Sequence, residues 1–186
     1  GRAYSQSIVV KQDPRVKTSA LAMQQVYSLS KATYDGAVAA QEAVRQAGEI
    51  RDQIAKVRSQ ASGPSGEALA AFDRKVEALV GAPAAGGRGR GQGSGGGRGG
   101  APGGVSTETL TSAVAALSGV MTSLQGADVQ PTTMQLNAIA SARALGTRVM
   151  TRWATLRTTE LAALNGTLKS AGMAAIVALD PSSRPK

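Results

Sequence analysis

The stretch EAVRQAGEIRDQIAKVR, residues 42–58, decides the fold. Its apolar and small members Val44, Ala47, Ile50, Ile54 and Val57 recur at three- and four-residue steps, the period of one face of an α-helix. Between them stand Glu42, Arg45, Glu49, Arg51, Asp52, Lys56 and Arg58, charges of mixed sign that suit a solvated helix face. The pattern extends toward the N-terminus through Ala40, Gly36, Thr33, Leu29, Val26 and Leu21, with Thr18 or Ser19 as N-cap. It predicts one helix over residues 18–61, roughly 65 Å long at 1.5 Å per residue, with Gly36 as a place to bend.

Ser62-Gly63-Pro64-Ser65-Gly66 breaks the pattern, and a shorter helix is expected over residues 67–80, with Leu69, Phe72, Val76 and Leu79 inward and Gly81 as its stop. Farther on, Leu110, Val114, Leu117, Met121 and Leu124 predict a helix after a Ser106 cap, ending at Gly126. A last long helix is expected from residue 132 to Gly172 through Leu136, Ile139, Val149, Trp153, Leu156, Leu161, Leu164 and Leu168, with a break near Thr158-Thr159. Only AYSQSIVVK, residues 3–11, differs. It alternates Tyr4, Gln6, Ile8 and Val10 against Ser5, Ser7, Val9 and Lys11, which reads as a strand. A lone strand cannot pair its own backbone groups, so its partner is expected on another chain.

The fold class is therefore all-α: an elongated up-down bundle of two long and two short helices, preceded by an orphan strand and interrupted by a Gly-rich linker. Residues 1–14 form the strand and its linker, 15–172 the bundle with an insert at 81–105, and 173–186 a tail. The chain has no cysteine or histidine. That removes thiol nucleophiles, disulfides, Cys/His metal sites, the Ser-His-Asp triad and the usual neutral-pH proton shuttle. No catalytic residue, cofactor, metal or small-molecule substrate is expected. Glu49 with Asp52 and Asp73 with Glu77 share helix faces, but each has a basic neighbour, and they read as ion pairs. No run of about 18 apolar residues marks a membrane span, and a start at Gly1-Arg2-Ala3 is read as that of a trimmed or mature chain.

The net charge of +9 suggests an acidic partner. Its sharpest carrier is GRGRGQGSGGGRGG, residues 87–100. Arg-Gly segments grip RNA through phosphate contacts and arginine stacking. Here, however, 13 of the 24 residues from 81 to 104 are glycine, only Arg88, Arg90 and Arg98 are basic, and no aromatic is interleaved. The tract reads as a tether, with an r.m.s. span of ~25–30 Å that would join helix ends standing apart. Its Gly-x-Gly runs follow no strand, so they are not a dinucleotide fingerprint. Arg148 and Arg152, one turn apart beside Trp153, are candidates for an anionic headgroup or partner, whereas Arg143 and Arg157 project elsewhere and Trp153 is expected in the core. Asn165-Gly166-Thr167 matches an N-glycosylation pattern but lies inside a predicted helix.

Two segments carry a family resemblance. YSQSIVVKQDPRVK, residues 4–17, resembles the last strand of the Ig-like domain near the C-terminus of large secreted bacterial proteins with sortilin-like, BNR-type β-propellers. Residues 124–176, with Gly126-Ala127-Asp128 and Trp153, look like the helical tail that ends them, and Asp13-Pro14-Arg15 belongs to the same likeness. The resemblance implies export and a terminal helical module with no assigned activity; the propeller itself is absent here. The expected function is a non-enzymatic accessory subunit that docks onto protein subunits of a larger extracytoplasmic, membrane-associated complex, with an anionic membrane surface as a further partner. Tyr4, Ile8 and Val10 at one end, Ile176, Val177 and Leu179 at the other, and Arg148 and Arg152 between are the expected partner-binding residues. The alternative is nucleic-acid binding through the Arg/Gly tract.

Overall fold

A computed structural model describes residues 3–9, 11, 13, 15, 17–81, 108–126 and 129–178. The chain is all-α over those residues. Helix α1 spans Ala20–Arg58, about 58 Å at the standard rise. Helices α2 (Gly63–Val80), α3 (Leu110–Gln125), α4 (Thr133–Thr155) and α5 (Leu161–Ser170) follow. Residues 3–9 carry no strand, which corrects the strand expected there. Alternation made those residues suitable for a sheet, but no neighbouring strand among the described residues takes up their backbone groups, and without that ladder a strand does not exist.

Local signals set the helix starts. The Ser19 hydroxyl accepts from the Ala22 amide at 3.2 Å. Thr132 and Gln135 form a reciprocal capping box, each side chain taking the other's backbone N–H at 3.2 and 2.9 Å. The box that starts α3 belongs to Thr109 and Ser112 rather than to the expected Ser106, which lies outside the described residues. Helix α2 begins earlier than expected, because Pro64 sits in its first turn, where a missing N–H costs nothing, and Gly63 (φ +55°) is the residue at which the helix opens. Gly36, expected to bend α1, lies inside a continuous helix.

Residue pairs give the register. Arg51 reaches Asp73 and Glu77, so α2 runs back along the C-terminal half of α1. Leu117 touches Gly36, and α3 continues in the same direction along the N-terminal half. Ser123 meets Gln135 and Glu108 meets Arg148, so α4 runs antiparallel to α3. Lys75 then meets Glu160 at 2.6 Å where the last helix passes α2. The result is three rods: α1, then α2 and α3 in succession, then α4 with α5.

The middle rod is where the structure corrects the reading of the glycine tract. Thr111 Oγ1 donates to the Val80 carbonyl at 2.9 Å, so the last turn of α2 abuts the first turn of α3. Gly81 closes α2 at φ +76°, ψ 169°, with Thr109 packed directly against it. The two helix ends that residues 82–107 join therefore lie together. They do not need a tether that crosses 25–30 Å.

The expected break near Thr158-Thr159 is a π turn, Leu156–Glu160. Its cause is in the spacing. The buried series Val149, Trp153, Leu156, Leu161, Leu164, Leu168 steps 4-3-5-3-4, and a five-residue step would carry an α-helical stripe out of phase. The Leu161 amide bonds back to the Leu156 carbonyl, five residues earlier, which absorbs the extra residue and keeps both leucines in the core. The main core joins these residues to Ala43, Ala47, Ile50, Ile54, Leu69, Phe72, Val76, Leu79 and Leu110. Trp153 is buried among them, as the sequence predicts.

A second, smaller cluster lies toward the N-terminal half of α1, where Ala37, Leu117 and Ala142 meet. A β-carbon at Gly36 or at Gly146 would lie 3.3 Å from Leu117 Cδ1. Leu117 thus fills the space that two missing side chains leave, and α1, α3 and α4 close around one leucine.

Candidate functional site

Exposed apolar side chains are unevenly distributed over the described residues. Tyr4, Ile8 and Val9 are 88, 83 and 78% exposed and lie off the bundle. Leu21, Tyr27, Tyr34 and Val38 are exposed on the first half of α1, and Val129 and Met134 where α3 gives way to α4. The Gly36–Leu117–Gly146 register puts that turn beside the start of α1. The half of the bundle that holds the start of α1 therefore carries most of the exposed large apolar groups among the described residues, while Val177 lies toward the other end. All three tyrosines fall in the apolar set, whereas Phe72 and Trp153 are core. Periodicity shows inward positions; it carried no signal for Tyr27, Tyr34 and Val38, which lie on the outer face of α1.

The arginine candidates are already engaged. Arg148 Nε donates to Glu108 Oε1 at 2.9 Å, and Arg152 Nη1 donates to the Glu108 carbonyl at 3.3 Å. Glu108 stands at the root of α3, so a carboxylate of the chain itself occupies the position foreseen for a partner's anion. This bridge holds the C-terminal root of the insert against α4. Arg157 turns instead to Gln46, at 3.4 Å, and Arg143 lines a separate groove, so the four arginines form no common patch.

That groove, about 470 Å³, runs between α1 and α4 over Leu117. Ala32, Gly36, Ala39, Gly146, Met150 and Ala154 line most of it, and the hydroxyls of Thr147 and Thr151 donate to their own helix carbonyls. It offers shape but few convergent polar groups of the kind that fix a small molecule. Most of the described carboxylates are held in ion pairs; Asp52, expected to be one of them, is not among those that are. Arg51 takes Asp73 at 2.7 Å and Glu77 at 3.6 Å, and Arg45 bridges Glu42 and Glu49. Arg45 beside Glu42, and Arg15 beside Asp13, hold those two carboxyls below the usual carboxylate range, ionised rather than poised to donate a proton at neutral pH. Among the described residues no group of three acidic side chains converges to hold a metal ion, and no helix is long and apolar enough to cross a membrane.

At the other end the chain docks on itself. Ile176, expected to face a partner, is buried in the main core, while Val177 is exposed; Val10 and Leu179 lie outside the described residues. Asn165, the acceptor of the glycosylation pattern, has its amide committed: Nδ2 donates to the Ile176 carbonyl at 2.8 Å. No local pattern signals this, because the partner of Asn165 is a backbone eleven residues away. Comparison with family models, with curated proteins and with solved structures returns no match.

Proposed function

We propose that the chain is a non-enzymatic helical docking subunit, in which a stiff bundle carries an apolar end that attaches it to protein subunits of a larger complex. The observation that carries this reading is the clustering of Tyr4, Ile8, Val9, Leu21, Tyr27, Tyr34, Val38, Val129 and Met134 at one end. Exposed apolar side chains that adjoin one another mark an interaction site. The alternation of residues 3–11 suits strand addition to an open sheet edge of the partner, where main-chain bonds supply affinity and alternate side chains supply specificity. An extracytoplasmic, membrane-peripheral setting follows from the resemblance of residues 4–17 and 124–176 to the C-terminal region of secreted propeller proteins. The excess of basic charge fits an anionic membrane surface nearby.

The test is affinity capture of the native protein from its source membranes in mild detergent, beside a variant with Tyr4, Ile8 and Val9 all changed to Ser. The wild type should retain protein partners in stoichiometric amounts before and after nuclease, and the triple variant should lose most of them. Equal recovery by this variant, and by one with Tyr27, Tyr34 and Val38 changed to Ser, would rule the apolar surface out. The second reading, nucleic-acid binding, rests on Arg88, Arg90 and Arg98 in a stretch, residues 81–107, that has no acidic residue. It predicts that nuclease strips the partners and that affinity falls steeply with salt.

A further inference from the structure

We propose that Gln53 and Asn165 form a peptide-binding seat, filled in cis by Ile176 and Val177, which takes an aliphatic segment of the same type in trans once the chain's own segment is undocked. Asn165 accepts the Ile176 amide at Oδ1 and donates from Nδ2 to the Ile176 carbonyl, both at 2.8 Å. Gln53 treats the next residue the same way, accepting the Val177 amide at 2.9 Å and donating to the Val177 carbonyl at 2.8 Å. The two amides come from different helices, α5 and α1, and grip consecutive residues. Consecutive residues of an extended chain present their peptide groups to opposite sides, so each amide does what a neighbouring strand does in a sheet. A primary amide suits the task because it offers one donor face and one acceptor atom in the same plane as a peptide group.

Backbone capture of this kind sets no demand on side chains. Specificity comes from the side chain of the first gripped residue, Ile176. Ile176 is 2% exposed and packs in the main core, whereas the Val177 side chain points out to solvent. The ligand class is therefore a short aliphatic peptide with a branched side chain at the position of Ile176, read by the logic of strand addition with two side chains in place of a sheet edge. Gly172, at φ +69°, reverses the chain after α5, and the Met173 amide closes the turn on the Leu168 carbonyl at 2.9 Å. This turn delivers the segment to the seat. The gripping side chains belong to α1 and α5, outside the segment they hold.

The test uses the full-length chain and a fluorescently labelled peptide, acetyl-MAAIVA-amide, the sequence of residues 173–178. In the wild type the tethered segment competes at an effective concentration in the mM range, so the peptide should bind weakly. Ile176→Asp undocks the tethered segment and should tighten peptide binding at least tenfold on the order that such intramolecular competition sets. Adding Gln53→Ala or Asn165→Ala should abolish that gain. Should Ile176→Asp lose its helical circular dichroism, Ile176→Ala takes its place. Amide exchange in the full-length chain gives a second readout: Asn165→Ala should speed exchange chiefly at Ile176, and Gln53→Ala chiefly at Val177. A folded Ile176 variant that ignores the peptide, or binds it as well without Gln53 and Asn165, overturns the proposal.

Discussion

Leu117→Ala should destabilise the bundle by about 3–4 kcal/mol, the middle of the range for a buried leucine. Leu117 is 2% exposed and fills the space between Gly36 and Gly146, each of which would bring a β-carbon to 3.3 Å of its Cδ1. Glycine has no side chain to swing into the void, and the backbones around it belong to three helices that cannot approach without moving whole rods. The cavity should stay open. Against a total stability of roughly 5–15 kcal/mol, such a loss is large, and for a domain of this size it lowers the thermal midpoint by roughly 10 °C. Trp153, the only tryptophan and a core residue, reports the transition by its fluorescence, alongside helical circular dichroism. A cost under about 1 kcal/mol, below the roughly 2 kcal/mol that even a collapsing buried site loses, would mean that the three helices do not meet on this side chain.

Gly81→Ala is the second change with a large expected effect. At φ +76° and ψ 169° the residue occupies a region open essentially to glycine alone, and strain there costs on the order of 1–3 kcal/mol. A β-carbon would in addition lie 2.6–2.7 Å from three side-chain atoms of Thr109. Thr109 is 8% exposed and caps α3, so it cannot swing away without giving up a cap worth about 1 kcal/mol. The expected loss is about 3 kcal/mol, the sum of strain and displaced cap. The cause can be separated from ordinary glycine propensity by a cycle with Thr109→Gly. That background removes the clash but keeps the backbone strain, so Gly81→Ala should cost clearly less there. Equal costs in the two backgrounds would show that Gly81 and Thr109 do not act on one another, and that the junction of α2 with α3 is looser than described.

The sequence made some of this plain and concealed the rest for identifiable reasons. Leu69, Phe72, Val76 and Leu79 could be placed in the core because burial on one helix face imposes its period directly on the residues. Trp153 followed from the same stripe, and the break expected near Thr158-Thr159 falls inside the π turn, whose cause is the five-residue step from Leu156 to Leu161. The junction of the middle rod left no such trace. It rests on a hydrogen bond from Thr111 to Val80, thirty-one positions apart, and on Thr109 packing against a glycine. Neither follows any period. Read locally, a glycine tract looks like a tether between separated helices; only the tertiary contact shows that its ends adjoin.

The candidate sites divide in the same way. Tyr4 and Ile8 were legible as exposed because an alternating run that meets no partner stays exposed, whereas Val9, read on the opposite face of a strand, is exposed as well because no strand forms. Arg148 and Arg152 were found as a pair but assigned an outside anion, since Glu108 lies beyond a turn that sequence spacing does not resolve. Ile176 was taken for a docking residue because the tail looked like an end; Gly172 turns it back, and Asn165 and Gln53 receive it. A side-chain amide that pairs with a distant backbone has no sequence signature at all.

The central claim is that residues 82–107 are an insertion into one continuous rod, and it is tested most directly by replacing them with Gly-Ser-Gly-Ser and measuring thermal unfolding. Four residues span at most roughly 14 Å, too short for helix ends 25–30 Å apart. With the ends adjoining, helical content and cooperative unfolding should persist. Shortening the closed loop should also raise stability by about 1–2 kcal/mol, at ~0.6 kcal/mol for each halving of its length. Loss of helical content, or of a single cooperative transition, would contradict the account.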